Sequence, residues 1–596
     1  MLRRPPQYKT QIVRIFPNAW AIVTSTHLFR FWVLGFGLKF LIYTYLCLLL
    51  IKIEQSMARK KLGIGAQAFQ QFALENMIYV DKTEKIYELM QLGIHNFIVR
   101  PRRFGKSLLL DTIAAIYESS KEQFKETWIY DKIDWAAEQR PTLRIDFTAI
   151  ESDERSLERG LQDYLQPIIE DLGINLEDSS ARNMFKRIVE QLGKTRPIVI
   201  LIDEYEMPIT DLVGLDEVKL QENIRTLKKF YGTMKGLSRF IHRSYITGVT
   251  KIGKIGILSD LNMLNDLTLD ERFTTLLGYT ETELRLFYAE YITEAARRYG
   301  VTEAEILEHI KQQYNGYSWD GIDDNRVYNP FSLVNFFQSF QFRNYWFSTG
   351  TPTVLTRGAR QQQITMEELE NLETTGDLLE SANLKEFYSL ALLFQAGYLT
   401  IKKMEQKGVS TIYTLGFPNH EVRESFASYL LAEYVGKGWE ETEYTIAFKL
   451  KNHLENEELA AAFQVFAPVI ASTGYDITKH TEGYFHTIMH VLMYATGLTT
   501  FSELQSAEGR MDTICTTQNA IYIFEFKIDA NAETALKQIH EQNYAESFLL
   551  KNKNIYLIGV NFVTADKKIN NILVEKWNGK QFVRLKGAFV PKQVVA

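Results

Sequence analysis

Between Ile94 and Val99 the chain runs IHNFIV, a short, apolar, β-rich stretch, and from Ser107 the pattern changes to apolar residues at helical spacing in SLLLDTIAAIYESS. This order predicts a strand, a loop and a helix. A second apolar run, PIVILI at 197–202, ends in Asp203 and Glu204, and RSYITGVT at 243–250 reads as a further strand closing in a small-residue turn. Near-continuous apolar runs suit central strands of a parallel sheet covered on both faces. From about 280 to 470 the pattern is mainly amphipathic helix, interrupted at 314–333 by YNGYSWDGIDDNRVYNPFSL, whose Gly, Asp, Asn and Pro content marks a long aromatic-rich loop. The last 120 or so residues change character. There the helical GYFHTIMHVLMYATG is followed by a strand in GRMDTICTT, a turn at QN, the strand AIYIFEFKI, a helix from about Ala532 to Leu550 and the strand NIYLIGVNF.

Length and composition agree with several packed units. A chain of 596 residues exceeds one core, and 46% hydrophobic residues with only 13 prolines leave little that reads as disordered. The net charge of −6 gives no global attraction to nucleic acid, so such a contact would need a local basic patch. The two cysteines, Cys47 and Cys515, exclude a disulfide framework and a cysteine zinc site, which makes a reducing, cytoplasmic compartment the default. Residues 31–51, FWVLGFGLKFLIYTYLCLLLI, contain one charge and approach the ~20 apolar residues that span a bilayer. They form either a membrane anchor or part of a leader outside the functional protein, since Met57 opens a soluble-looking MARKKLGIGAQAFQQF. Flanking charges do not orient the segment, with Arg3, Arg4, Lys9 and Arg14 before it and Arg59, Lys60 and Lys61 after it.

The loop RPRRFGKS, residues 100–107, carries the first candidate chemistry. Phosphate loops direct consecutive backbone N–H groups at an anion at a helix N-terminus, while a lysine reaches the phosphates and a hydroxyl binds Mg²⁺. Gly105, Lys106 and Ser107 fit these roles; Arg100 stands where the first glycine is usual, and Arg102 and Arg103 add positive charge. Asp203 would hold the Mg²⁺ shell and Glu204 activate water. The alternative for the acids is helix capping, and for Gly-Lys-Ser a surface turn.

The second constellation lies on the strand 521–529. Alternation puts Tyr522, Phe524, Phe526 and Ile528 on one face and Ile523, Glu525, Lys527 and Asp529 on the other, and the preceding hairpin strand brings Asp512 beside Glu525. Two carboxylates can hold Mg²⁺ or Mn²⁺ and polarise a phosphodiester, with the lysine orienting water. The plain alternative for Glu525 and Lys527 is a same-face salt bridge. His486 and His490, four apart on a helix, form a metal pair only if a further ligand exists, and none is evident. Cys515 reads as small core filling.

These motifs, together with YVDKTEKIYELM (79–90), VILIDEYEMPI, YITGVTKIGKIGILSDLNMLNDLTLD (245–270), LGYTETEL and YNGYSWD…VYNPFSL, resemble the bacterial AAA-ATPase-like family, from about Leu62 to Phe562. The resemblance implies a P-loop NTPase of doubly wound α/β type, a helical middle region and a C-terminal PD-(D/E)XK, restriction-endonuclease-like α/β domain. It makes the arginine-rich loop the family's ordinary form. It implies Thr247 as a γ-phosphate sensor, against the alternative of a buried capping Thr, Glu482 or Glu503 as a third acid, and Gln538 facing the nuclease site. The expected organisation is a hydrophobic extension at 1–56, the ATPase domain at 57–285, the middle region at 286–470 and the nuclease-like domain at 471–596. The expected activity is ATP binding and hydrolysis coupled to Mg²⁺-dependent cleavage of DNA. The alternatives are a nucleotide-regulated binding protein with an inactive nuclease fold, and a membrane-associated ATPase. DNA against RNA, and oligomeric state, are open at this level.

Overall fold

The computed structural model describes residues 59–118, 121–151, 156–210, 212, 216–251, 258, 264–346, 366–376, 379, 390–408, 410–435, 443–471, 482–505, 510–563 and 568–586, with the backbone alone at 367, 432–435, 443–445, 467–468, 470–471, 482–487, 501–505, 510–511 and 568. The hydrophobic segment 31–51 lies outside these residues. Among the described residues no helix is long and apolar enough to cross a membrane.

The first sheet contains β1 (His95–Val99), β2 (Thr142–Asp146), β3 (Ile198–Asp203), β4 (Ile241–Gly248) and β5 (Leu264–Asp266). All pairs are parallel and the spatial order is β2-β3-β4-β1-β5. Alternate residues of β3 enter different cores: Ile198, Ile200 and Ile202 join one, Val199 and Leu201 the other. Helices α2 (Leu157–Asp171), α3 (Ala181–Leu192) and α4 (Glu217–Lys235) contribute to the first core, and α1 (Lys106–Glu118) to the second. Two covered faces explain the uninterrupted apolar run in the sequence. Side-chain caps fix helix starts: Ser156 Oγ accepts from Arg159 N on α2, and Asp216 Oδ1 accepts from Lys219 N on α4. This is the doubly wound α/β architecture that the sequence predicts.

The middle region is helical as expected, beginning with helices at Glu281–Phe287, Ala289–Tyr299 and Glu303–Tyr314, the first and third opened by capping boxes at Thr280/Glu283 and Thr302/Glu305. A two-stranded pair, β6 (Tyr279–Thr280) with β7 (Val327–Tyr328), ties the aromatic loop to the segment that precedes the first of these helices. The sequence reading missed a three-stranded antiparallel sheet formed by β8 (Leu372–Thr375), β9 (Thr400–Lys407) and β10 (Ser410–Gly416). Its strands are only partly buried, so their alternation is weak.

Helix α5 (His420–Val435) packs on α6 (Glu482–Ala495), which leads into the C-terminal sheet. That sheet runs β11 (Thr499–Gln505), β12 (Arg510–Thr516), β13 (Ala520–Ile528), β14 (Asn554–Val563), β15 (Lys568–Trp577) and β16 (Phe582–Arg584), in this spatial order. It is mixed: β13 and β14 are parallel, connected by helix α7 (Ala532–Glu541), and the other pairs are antiparallel. The alternation on β13 holds. Tyr522, Phe524 and Phe526 face the large core, where Phe524 meets Phe466, while Ile521 and Ile523 pack with Leu536 and Ile539 of α7. Helix α7 ends at Glu541 rather than near Leu550, because Asn543 takes a left-handed conformation (φ 48°) and turns the chain back.

Glu421, at the start of α5, knots three separated stretches. Its carboxylate is fully buried and accepts from Ser332 Oγ and from Trp346 N, each at 2.7 Å. Burial pushes its pKa up from 4.5 to about 8. A raised folded-state value stabilises the protein most below the unfolded pKa, and that contribution is lost as pH rises through about 8. Wild-type thermal stability is therefore expected to decline between about pH 5 and pH 8 more steeply than that of Glu421→Gln; parallel melting-temperature profiles would refute the assignment.

Candidate functional site

The carboxyl ends of β1, β3 and β4 lie side by side, where open α/β sheets bind ligands. The loop after β1 turns through left-handed conformations at Arg103 (φ 67°) and Gly105 (φ 92°), delivering Lys106 and Ser107 to the first turn of α1. Lys106 is 4% exposed; its ammonium donates to Arg100 O and Pro101 O, both at 3.2 Å, and pairs with Glu204 Oε1 at 3.3 Å. Ser107 Oγ donates to Asp203 Oδ2 at 2.5 Å. Thr247 Oγ1, at the end of β4, donates to Asp203 Oδ1 at 2.6 Å, and Glu204 N donates to the same oxygen at 3.0 Å. One buried carboxylate thus gathers the loop hydroxyl and the proposed sensor hydroxyl. Thr247 is buried, and its hydroxyl is bonded to Asp203 rather than to a turn that follows it.

Arg100 does not face this crevice. Its guanidinium is fully buried: Nη1 donates to Val99 O and Thr268 O at 2.9 Å, and Nη2 to Phe273 O at 3.2 Å. The Trp319 ring covers it with 3.9 Å from Cζ to the ring centroid. Burial lowers its pKa to about 9, partly offset by Asp266 and Asp320. The side chains of Arg102 and Arg103 are exposed. Ser107 and Asp203 together supply a hydroxyl and a carboxylate of the type that a hard divalent cation accepts, and Lys106 supplies a cation for phosphate.

In the C-terminal sheet, β12 and β13 pair with Thr513 opposite Phe524, and Asp512 Oδ2 accepts from Phe526 N at 2.8 Å. Glu525 is 0% exposed; Oε1 accepts from Lys527 Nζ at 3.0 Å, and Oε2 has no hydrogen-bond partner among the described residues. Burial, reinforced by the charge of Asp512, pushes Glu525 up to about 7, while Lys527 pulls it down. A buried carboxylate oxygen without a donor, beside a second acid, is a donor set that a divalent cation satisfies. Gln538 on α7 hydrogen-bonds the Tyr544 hydroxyl, which also feels the charges of Glu525, Asp512 and Lys527. The side chains of Glu482, Glu503 and His486 lie outside the described residues. His490 is buried, and no group of three or more potential metal ligands occurs among the described residues. Cys515 is buried core filling, and burial pushes its thiol up to about 12.

The family model for predicted AAA-ATPases matches residues 63–258, and that for the PD-(D/E)XK nuclease superfamily matches residues 480–572. A relative from Azotobacter chroococcum mcd 1, described as an uncharacterized protein in the vnfD 5' region, is 32% identical over 532 residues, covering 87% of this chain and 99% of the relative. The chain belongs to this AAA-ATPase-like family. Its ATPase-like region therefore contains Lys106, Ser107, Asp203, Glu204 and Thr247, and its nuclease-superfamily domain contains Asp512, Glu525, Lys527 and Gln538.

Sequence reasoning missed Glu206 in the ATPase-like region. This buried acid accepts from Val249 N at 2.5 Å and Thr250 N at 3.0 Å, and Tyr205 N donates to Thr247 O at 3.1 Å, so the residues after Asp203 lace the end of β3 to the end of β4. Burial and the neighbouring Glu204 charge push Glu206 up to about 8. The signal was its place two residues beyond Glu204; its partners could not be read locally. Gly248 admits this lacing, because a Cβ there would sit 2.1 Å from Glu206 Oε2 and 2.6 Å from Tyr205 Cδ1. Gly248→Ala is expected to cost about 1–3 kcal/mol of stability through overpacking, whereas Gly236→Ala, whose nearest contact would be 3.7 Å, is close to neutral. Thermal unfolding of the two variants checks this; equal melting temperatures would refute it.

Proposed function

We propose that the protein binds and hydrolyses ATP in the crevice at β1, β3 and β4, and that this activity is coupled to metal-dependent cleavage of DNA at Asp512, Glu525 and Lys527. The observation that carries the reading is the Asp203 carboxylate, held by Ser107 from the first turn of α1 and by Thr247 from the end of β4, beside the Lys106–Glu204 pair. This gathers a phosphate-binding lysine, a metal-shell hydroxyl and acid, a candidate water-activating acid and a sensor hydroxyl within one network. Lys106 exchanges its contacts with loop carbonyls and Glu204 for phosphate oxygens, which releases Glu204 to orient water.

The nuclease reading is supported by the buried Glu525 oxygen without a donor and by Asp512 next to it. Mg²⁺ at Ser107 and Asp203, and Mg²⁺ or Mn²⁺ at Asp512 and Glu525, would supply charge neutralisation of phosphate and a lowered water pKa. Lys527 partly offsets the upward push on Glu525 and stabilises negative charge developing on a phosphodiester; Gln538 and Tyr544 line the same site.

Purified full-length protein is tested for ATP hydrolysis and for cleavage of DNA and RNA with Mg²⁺, with and without ATP. Lys106→Ala is expected to lower ATP hydrolysis by about 100-fold or more, and Asp512→Ala to lower DNA cleavage by a similar factor, as for removal of a principal electrostatic group. Lys106→Ala is also expected to cut DNA no faster with ATP than without it. Cleavage indifferent to both substitutions overturns the proposal.

A further inference from the structure

The phosphate loop is built only in part from its own domain. Four of the residues at 100–104 are fixed by the aromatic segment that follows Tyr314. Arg100 lies under Trp319 at 3.9 Å, and Phe104 is wedged between Tyr317 and Trp319 with ring centroids 4.8 and 5.8 Å away. Trp346 Nε1 donates to Arg102 O at 3.0 Å, and Arg103 lies over the Phe331 ring at 5.2 Å. The loop's other restraints include the bonds of Arg100 to Val99, Thr268, Phe273 and Gly248, the bonds of Lys106 to the loop's first two carbonyls and to Glu204, and the bond of Ser107 to Asp203.

These contacts bear on how the loop grips an anion. A first glycine would give a phosphate loop its tight turn without a side chain to place. Arg100 must instead bury a charged side chain, and it does so away from the crevice. Three carbonyl bonds and an aromatic face offset that burial. Trp319 therefore helps to decide whether Arg100 stays in place, and Arg100 is where the loop begins. Trp346 orients the Arg102 carbonyl, and so the Arg102–Arg103 peptide unit whose N–H points the other way.

We propose that Trp319 and Trp346 are positioning residues of the triphosphate site. They belong to the middle region, hold the phosphate loop in its anion-binding shape, and are in turn ordered by nucleotide. The inference rests on the ATP-binding reading above. By linkage, whatever strengthens the loop's grip on nucleotide must equally strengthen nucleotide's grip on the aromatic segment.

The test uses the full-length protein and three readouts: binding of the slowly hydrolysed analogue ATPγS with Mg²⁺, steady-state ATP hydrolysis, and amide hydrogen exchange. Trp319→Ala is expected to weaken nucleotide binding about tenfold, the scale of losing one desolvated cation–π contact, and to raise KM for ATP more than it lowers kcat. Trp319→Phe keeps an aromatic face and is expected to recover most of the affinity. In wild type, nucleotide is expected to slow amide hydrogen exchange across 314–346, and in Lys106→Ala it is not. If Trp319→Ala does not fold, Trp346→Phe, which removes one hydrogen bond, decides the matter by the same affinity and exchange measurements. Nucleotide affinity within twofold of wild type in the folded variants, or exchange at 314–346 blind to nucleotide, overturns the proposal. Failure of wild type to bind nucleotide at all instead sinks the ATP-binding reading, and the positioning role falls with it.

Discussion

A guanidinium in an apolar interior must be given ligands, and much of the architecture around the phosphate loop follows from meeting that demand at Arg100. Leaving a buried charge uncompensated costs several kcal/mol. Charge-assisted bonds to carbonyls contribute about 1.5–3 kcal/mol each and an aromatic face up to about 2 kcal/mol when desolvated. Three such bonds and one face offset the burial, which leaves Nε without a hydrogen-bond partner among the described residues. The ligands come from β1 itself, from the turn after β5 and from the aromatic loop. Their arrangement pins the start of the phosphate loop to two regions at once.

The two centres differ in how they stand before any substrate arrives. Around Asp203 both carboxylate oxygens are engaged by neighbouring hydroxyls, and Lys106 is neutralised by Glu204. That site is internally satisfied and must exchange contacts to work. Around Glu525 one oxygen is left without a donor, and its proton affinity is raised by burial beside Asp512. This second site holds an unmet demand for a cation or a proton. The contrast comes from geometry: Asp203 sits where three strand ends meet, while Glu525 projects from mid-sheet beneath α7.

Much of this was legible from residues alone because the physics was local. The apolar runs of β1 and β3, the switch to helical period at Ser107, and the alternation that places Glu525 and Lys527 on one face all depend on near neighbours. The differences have two kinds of cause: weak local signals, and partners distant in sequence. Helix α7 was carried too far because only the left-handed Asn543 stops it. The sheet β8-β10-β9 was missed because its strands bury too little to alternate cleanly. The sequence places Arg100 where a first glycine is usual but does not show what receives its side chain, because one of its ligands, Thr268 O, lies 168 residues along the chain. Glu206 escaped notice because its partners, Val249 and Thr250, are on another strand's end.

One apolar cluster runs without a break from Ile98 and Phe104 through Tyr317, Trp346, Tyr398 and Phe426 to Phe524 and Val560. Residues at the phosphate loop and residues under the C-terminal sheet thus belong to the same packed interior. A recombination event that swapped only the final sheet between relatives would expose half of an interdigitated surface. Exchange that preserves folding must therefore keep the apolar face of that sheet complementary to what it packs on, with Phe524 against Phe466 among the contacts to be matched.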